Sequence, residues 1–148
     1  MRKIISGVAL SCALMFTVTA NAAEHVIKML DTGADGNIMV FEPAFVKAKK
    51  GDTIKFVAAD AGHNNISRYV PEGAKEWKGD VSHDVTVTVE QEGVYLYECD
   101  LHKFLGMVGV IQVGEATNLA AAKTAADKVT AGMAMGAERM NEYLSNVK

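Results

Sequence analysis

Cysteine is nearly absent, two residues in 148, and there are only two prolines and one tryptophan. Two cysteines cannot build the disulfide framework of a small cross-linked scaffold, so an apolar core has to hold the chain together. Positive charge is also scarce. Fifteen Lys and Arg stand against 18 Asp and Glu, a formal charge of −3, which gives no bulk attraction to nucleic acid. The one long uncharged apolar run, Ile4 to Val18, falls short of the ~20 residues that a membrane-spanning helix needs.

That run lies between Met1-Arg2-Lys3 and the small residues Ala20-Asn21-Ala22, which is the layout of a secretory signal peptide cleaved before Ala23. A lipoprotein site at Leu10-Ser11-Cys12 is the weaker alternative, because Ala9 stands where such sites favour Leu and the apolar run continues past Cys12. The expected organisation is a signal peptide over 1–22 and a single domain over 23–148, with no membrane span, monomeric or weakly associating. Losing 22 of 148 residues leaves 126, enough for a substantial core, and removing Arg2 and Lys3 takes the formal charge from −3 to −5.

From His25 to Val113, short runs of Val, Ile, Phe, Tyr and Thr are separated by Gly, Asp, Asn and Pro, which predicts an all-β domain. Strands are expected at His25–Leu30, Met39–Phe41, Phe45–Ala48, Thr53–Ala58, Asn65–Arg68, Val85–Glu90, Val94–Glu98 and Val108–Val113. The alternation of Val85, Val87 and Val89 with Thr86, Thr88 and Glu90 marks a strand with one face on a core and one in water. Pro43 suits a strand edge or bend. After Gly114 the composition turns to Ala, Lys, Glu and Met, and two helices are expected, the first capped by Thr117 or Asn118 and beginning near Leu119, with a break around Thr130 to Gly132. Met133, Met140 and Leu144 at helical spacing would lay an apolar face on the β core.

Cys12 leaves with the signal peptide, so Cys99 is a lone thiol in an exported chain. It could be a buried inert thiol, an intermolecular bridge, a nucleophile or a metal thiolate. Its neighbours decide between these: Cys99-Asp100-Leu101-His102-Lys103-Phe104-Leu105-Gly106-Met107 places a thiolate, an imidazole and a thioether on one tight loop. A thiolate with a thioether favours copper over hard cations, and two His and one Cys in a plane with a distant Met is a copper electron-transfer arrangement. The best second histidine is His63, in the turn Gly62-His63-Asn64; His83 looks like a surface residue. A thiol nucleophile is disfavoured because nothing suggests an oxyanion hole or an acid to orient His102. Structural zinc is disfavoured because Met is a poor zinc ligand. Met133-Ala134-Met135 cannot close on one ion if it lies on a helix, and Trp77 reads as a half-buried loop anchor.

The loop from Cys99 to Met107, its preceding strand, Gly62-His63-Asn64, Met39-Val40-Phe41-Glu42-Pro43-Ala44, Gly51-Asp52-Thr53 and the run Gly106 to Gly114 closely resemble a pseudoazurin, one of the cupredoxins. The resemblance implies an eight-stranded Greek-key sandwich with two C-terminal α-helices. It implies one copper ion held by His63, Cys99 and His102 in a plane with Met107 axial, the backbone N–H of Asn64 donating to the thiolate, and electrons passing at the edge of His102. It also implies a non-enzymatic periplasmic shuttle for single electrons, with redox partners such as a copper nitrite reductase or a cytochrome. The rival reading is a copper carrier or store, which would have to release its ion.

Three features go beyond that resemblance. A mature N-terminus Ala23-Glu24-His25 would offer an amine, two amides and an imidazole for a square-planar Cu(II) site, although His25 reads better as simply starting the first strand. Glu98 and Ala61 stand where positive residues are expected, which leaves Lys103 and Lys78 as cations and Phe104 and Leu105 as an apolar docking patch beside His102, with weak electrostatic steering. Asp100 and Leu101 replace a small hydroxyl residue and a Pro. An ionised Asp100 next to the thiolate would lower the reduction potential by on the order of 40 to 90 mV, unless it serves only to accept a hydrogen bond from the Asn64 amide.

Overall fold

The Val/Thr alternation does form a strand, β6 (Val85–Thr88), with the valines turned toward the interior and the threonines exposed. The computed structural model describes residues 21–148; the expected signal peptide, with Cys12, lies outside the described residues apart from positions 21 and 22. The other strands are β1 (Glu24–Thr32), β2 (Ile38–Glu42), β3 (Phe45–Ala48), β4 (Thr53–Val57), β5 (Ile66–Tyr69), β7 (Gly93–Glu98) and β8 (Val108–Val113). They make two four-stranded sheets in the orders β2-β1-β4-β6 and β3-β8-β7-β5. β1 pairs parallel with β4 and β3 with β8, and the other neighbours are antiparallel. The result is an all-β Greek-key sandwich followed by helices α1 (Leu119–Thr130) and α2 (Ala137–Leu144).

β7 and β8 are buried along their whole length, which explains their nearly unbroken apolar sequences. One face of the pair looks into the sandwich, where Tyr95, Tyr97, Ile111 and Val113 meet Ile27, Phe41, Ile54 and Phe56. The ring of Tyr97 lies edge-on to Phe41 and Phe56 with centroids 4.8 and 5.1 Å away, contacts that add about 0.5–1.5 kcal/mol each beyond simple burial. The other face, Val94, Leu96, Val108 and Val110, is covered by Ala122, Ala126, Met140 and Leu144 of the helices. Without the helical extension this face would lie in water.

Sequence and structure differ mainly at element ends. β6 stops at Thr88, because the amide of Val89 bonds to Asp52 and its carbonyl to Gly51, both in the turn before β4. β5 begins at Ile66, since the Asn65 carbonyl accepts from Gly79 outside any strand. Pro43 falls in the bend between β2 and β3. Asn118 occupies the N-cap of α1 but does not cap it; its side chain bonds both the N–H and the carbonyl of Val94, tying the helix to β7. Met133 packs on the helical core from the α1–α2 connection rather than from a helix, and Met133-Ala134-Met135 is not helical at all.

The start of the domain is pinned by Asp52, only 4% exposed, whose carboxylate accepts from His25 Nε2 and from the amides of Ala23 and Lys49 at 2.8 to 2.9 Å. The His25 hydrogen bond, followed by those two amides, lowers the carboxyl from 3.8 to about 2. A depressed folded-state value means that the stabilisation is complete above the unfolded value of 3.8 and is lost as pH falls through about 2. Asp52→Asn should cost about 1 to 2 kcal/mol at neutral pH, allowing for screening, and should flatten the acid limb of stability. Urea denaturation at neutral pH and at about pH 2 checks this; equal losses at both would show that the charge contributes nothing.

Candidate metal centre

β7 delivers Cys99 and β8 starts immediately after Met107, so the two strands hold both ends of the loop between them. The Cys99 amide donates to the Met107 carbonyl at 2.9 Å, and a single 3₁₀ turn over Lys103–Leu105 fills the interior. The amides of His102 and Leu105 donate to the carbonyls of Cys99 and His102, so His102 is fixed by backbone bonds on both sides. Gly106 ends the turn at φ 74°, a left-handed conformation that glycine adopts without strain. The loop reaches this order with Leu101 where the resemblance implies a proline.

His63 comes from the other sheet side, in the turn between β4 and β5. Gly62 at φ 90° bonds Ser82 Oγ through its amide, and the His63 carbonyl accepts from the Ser82 amide, so the 79–84 loop holds this histidine in place. The ring of His63 is fully buried. Its Nδ1 lies 3.1 Å from His102 Nδ1, which in turn lies 3.6 Å from Cys99 Sγ, and the three atoms fall within 4.8 Å of one another. Met107 is buried in the same core cluster as Cys99. Two imidazole nitrogens and a sulfur converging on one point, in a pocket closed to water on all sides but that of His102, form a borderline-to-soft donor set that fits copper.

His63 Nε2 lies 2.9 Å from Asp31 Oδ1, a contact that favours the tautomer with its N–H on Nε2 and leaves Nδ1 to face Cys99 and His102. Burial, then the neighbouring His63, lowers the pKa of His102 and favours its neutral, ligating form. Asp31 could not be found from the sequence: it stands next to last in β1, 32 residues before His63, and no local pattern marks it.

Asn64 and Asp100 do meet, but not through the Asp100 carboxylate. The Asp100 amide donates to Asn64 Oδ1 at 2.9 Å while Asn64 Nδ2 donates to Gly79, so the Asn64 side chain stitches the two ligand loops together. The Cys99 thiol faces that same Oδ1 at 3.6 Å, so the contact seen at the sulfur runs through the Asn64 side chain. The Asp100 carboxylate turns to Arg68 Nη2 and Lys103 Nζ, both at 3.2 Å. Lys103, then Arg68, keeps the Asp100 carboxyl below its ordinary range.

Arg68 also pairs with Glu98, its Nε 2.6 Å from Oε1. Glu98 is 2% exposed, so it lies beneath the surface rather than on it; burial raises its pKa, and Arg68 reverses only part of the rise. One guanidinium thus bridges the carboxylates on either side of the cysteine. Arg68 was not recognisable as a partner from sequence, since a strand arginine ordinarily points to solvent. Of the other predicted residues, Phe104 and Leu101 are exposed, and Lys103 and Leu105 are half-buried in the same loop. His83 is exposed, and its ring meets the Val81 carbonyl. His25 lies at Asp52, with its strand paired along β4, and a square-planar site there would have to take its amides out of the sheet.

Known proteins with this arrangement agree. The family of copper binding proteins described as plastocyanin/azurin matches residues 27–114. A pseudoazurin of Paracoccus pantotrophus is 48% identical over 107 residues, covering 70% of this chain and 73% of its own. One from Methylorubrum extorquens is 41% identical over 126 residues, covering 83% and 84%. The crystal structure of native pseudoazurin from Hyphomicrobium denitrificans superposes with a TM-score of 0.71 at 37% identity, covering 84% of this chain and 98% of that one. With the sandwich, the helical extension and the His-Cys-His cluster in agreement, the chain belongs to the pseudoazurins, within the plastocyanin/azurin family of copper binding proteins.

Proposed function

We propose that this protein is a periplasmic carrier of single electrons, in which His63, Cys99, His102 and Met107 would hold one copper ion. The observation that carries the reading is the convergence of His63 Nδ1, Cys99 Sγ and His102 Nδ1 within 4.8 Å on loops already held by backbone hydrogen bonds. Copper supplies the one-electron couple. The protein's part is to hold a geometry that suits both oxidation states, so that little has to rearrange at each transfer. Asp31 holds His63 in the required tautomer, Asn64 ties the ligand loops together, and the buried core shields the thiolate from water.

His102 is the one partly exposed member of the cluster and the natural edge for electrons to cross. Leu101 and Phe104, 54% and 56% exposed, flank it, and Met135 and Ile38 extend the apolar surface around the loop. Lys103 spends its charge on Asp100, so a docking partner such as a copper nitrite reductase or a cytochrome would meet a mainly apolar face.

Loading the protein with one equivalent of Cu(II) should produce an intense thiolate-to-copper band in the visible that is lost in Cys99→Ser. Binding without that band would end the copper-thiolate assignment. Asp100→Asn should raise the reduction potential. Because Lys103 would swing into solvent once its partner is gone, the rise should be about half of the bare-charge value, on the order of 20 to 40 mV. A redox titration checks this; an unchanged or lower potential would show that the Asp100 charge does not tune the site.

A further inference from the structure

The three carbonyls just before Met107 are taken by the C-terminal extension. The Phe104 carbonyl accepts from the amides of Ala134 and Met135, at 2.9 and 3.3 Å. The next two, Leu105 and Gly106, lie 3.5 and 3.3 Å from Arg139 Nη1, and the same nitrogen reaches the carbonyls of Ile38 and Met39 at 3.1 and 3.3 Å. That nitrogen has only two hydrogens, so the four carbonyls share them in bifurcated bonds around one half-buried cation. The backbones themselves touch. A Cβ built on Gly106 would lie 2.7 Å from Gly136 Cα, and one built on Gly136 would lie 3.0 Å from Gly106 Cα, so side chains at either position would push the extension off the loop. Met39, whose carbonyl Arg139 also takes, sits at φ 52°, a backbone conformation that persists only where its surroundings impose it.

We propose that Arg139 is a positioning residue for the axial ligand: together with the Gly106–Gly136 contact it clamps the backbone just before Met107 and so sets where the thioether stands relative to the His-Cys-His plane. The proposal rests on the copper reading above. The extension then has two roles, covering the outer face of β7 and β8 and acting as a strut against the one ligand whose bond to copper is long and easily displaced. A guanidinium suits the task because its planar fork serves several carbonyls at once, whereas a lysine ammonium is a point charge on a flexible stem.

The test compares copper-loaded wild type, Arg139→Gln and Arg139→Lys. A wild-type protein without the thiolate band would remove the copper reading, and this proposal with it, before any variant is considered. With the band present, both variants should keep it but change the ratio of the two thiolate absorption bands and the rhombicity of the copper EPR signal. Cu(I) affinity, measured by competition with a chelator, should fall about tenfold, as expected for loss of an outer support of a ligand. In the copper-free variants, amide hydrogen exchange at Gly106 and Met107 should speed up. Lysine behaving like glutamine shows that the fork matters; lysine behaving like wild type, or spectra and Cu(I) affinity unchanged with only a lower melting temperature, would overturn the proposal. Where Arg139→Gln does not fold, Arg139→Lys decides alone by the same readouts.

Discussion

The hydrogen bond from the Cys99 amide to the Met107 carbonyl is where the fold becomes a site. It extends the β7–β8 ladder by one step past its last pair, Glu98 and Val108, and it fixes how far apart the two ends of the loop can be. Everything between them is then a short closed loop that one 3₁₀ turn and one left-handed glycine can fill, with His102 held midway. The site inherits its rigidity from two central strands that are buried on both faces, so moving the loop would mean moving the core.

This arrangement places demands on the rest of the chain. Two-sided burial of β7 and β8 requires a sheet on one side and helices on the other, and the helices in turn meet the loop through Arg139 and Gly136. Charge close to the thiolate is also managed. Glu98 and Asp100 put a carboxylate on either side of Cys99, and Arg68 lies between them as a shared counter-ion. Replacing such a pair by apolar groups often costs little, but leaving a buried carboxylate without its partner costs several kcal/mol, on the order of 3–5. Arg68, Glu98 and Asp100 should therefore be treated as one unit.

Much of this could be read from local pattern. All eight strands and the first helix lie where residue type and turn chemistry put them, because β-branched runs and Gly/Asp turns act over a few residues, whereas the second helix begins only at Ala137. His63, Cys99 and His102 were recognisable from donor chemistry and spacing, and the structure brings them together. What escaped is non-local. Asp31 reaches His63 across 32 positions, and Arg68 reaches Glu98 and Asp100 across about thirty. Asn118 has the residue type and place of a helix cap, yet the edge of β7 offers its side chain a better pair of bonds. Met133 fits a helical period with Met140 and Leu144, but Gly132 and Gly136, both in left-handed conformations, keep its segment out of a helix.

The central claim is that the site is built in advance for electron exchange with little rearrangement. Electron self-exchange between the oxidised and reduced copper proteins, measured by NMR line broadening in their mixtures, tests it most directly. The account predicts fast exchange, with the ion retained in both oxidation states and docking through the apolar surface around His102. Slow exchange accompanied by ready release of Cu(I) to a copper-free acceptor would contradict it and identify a copper carrier instead.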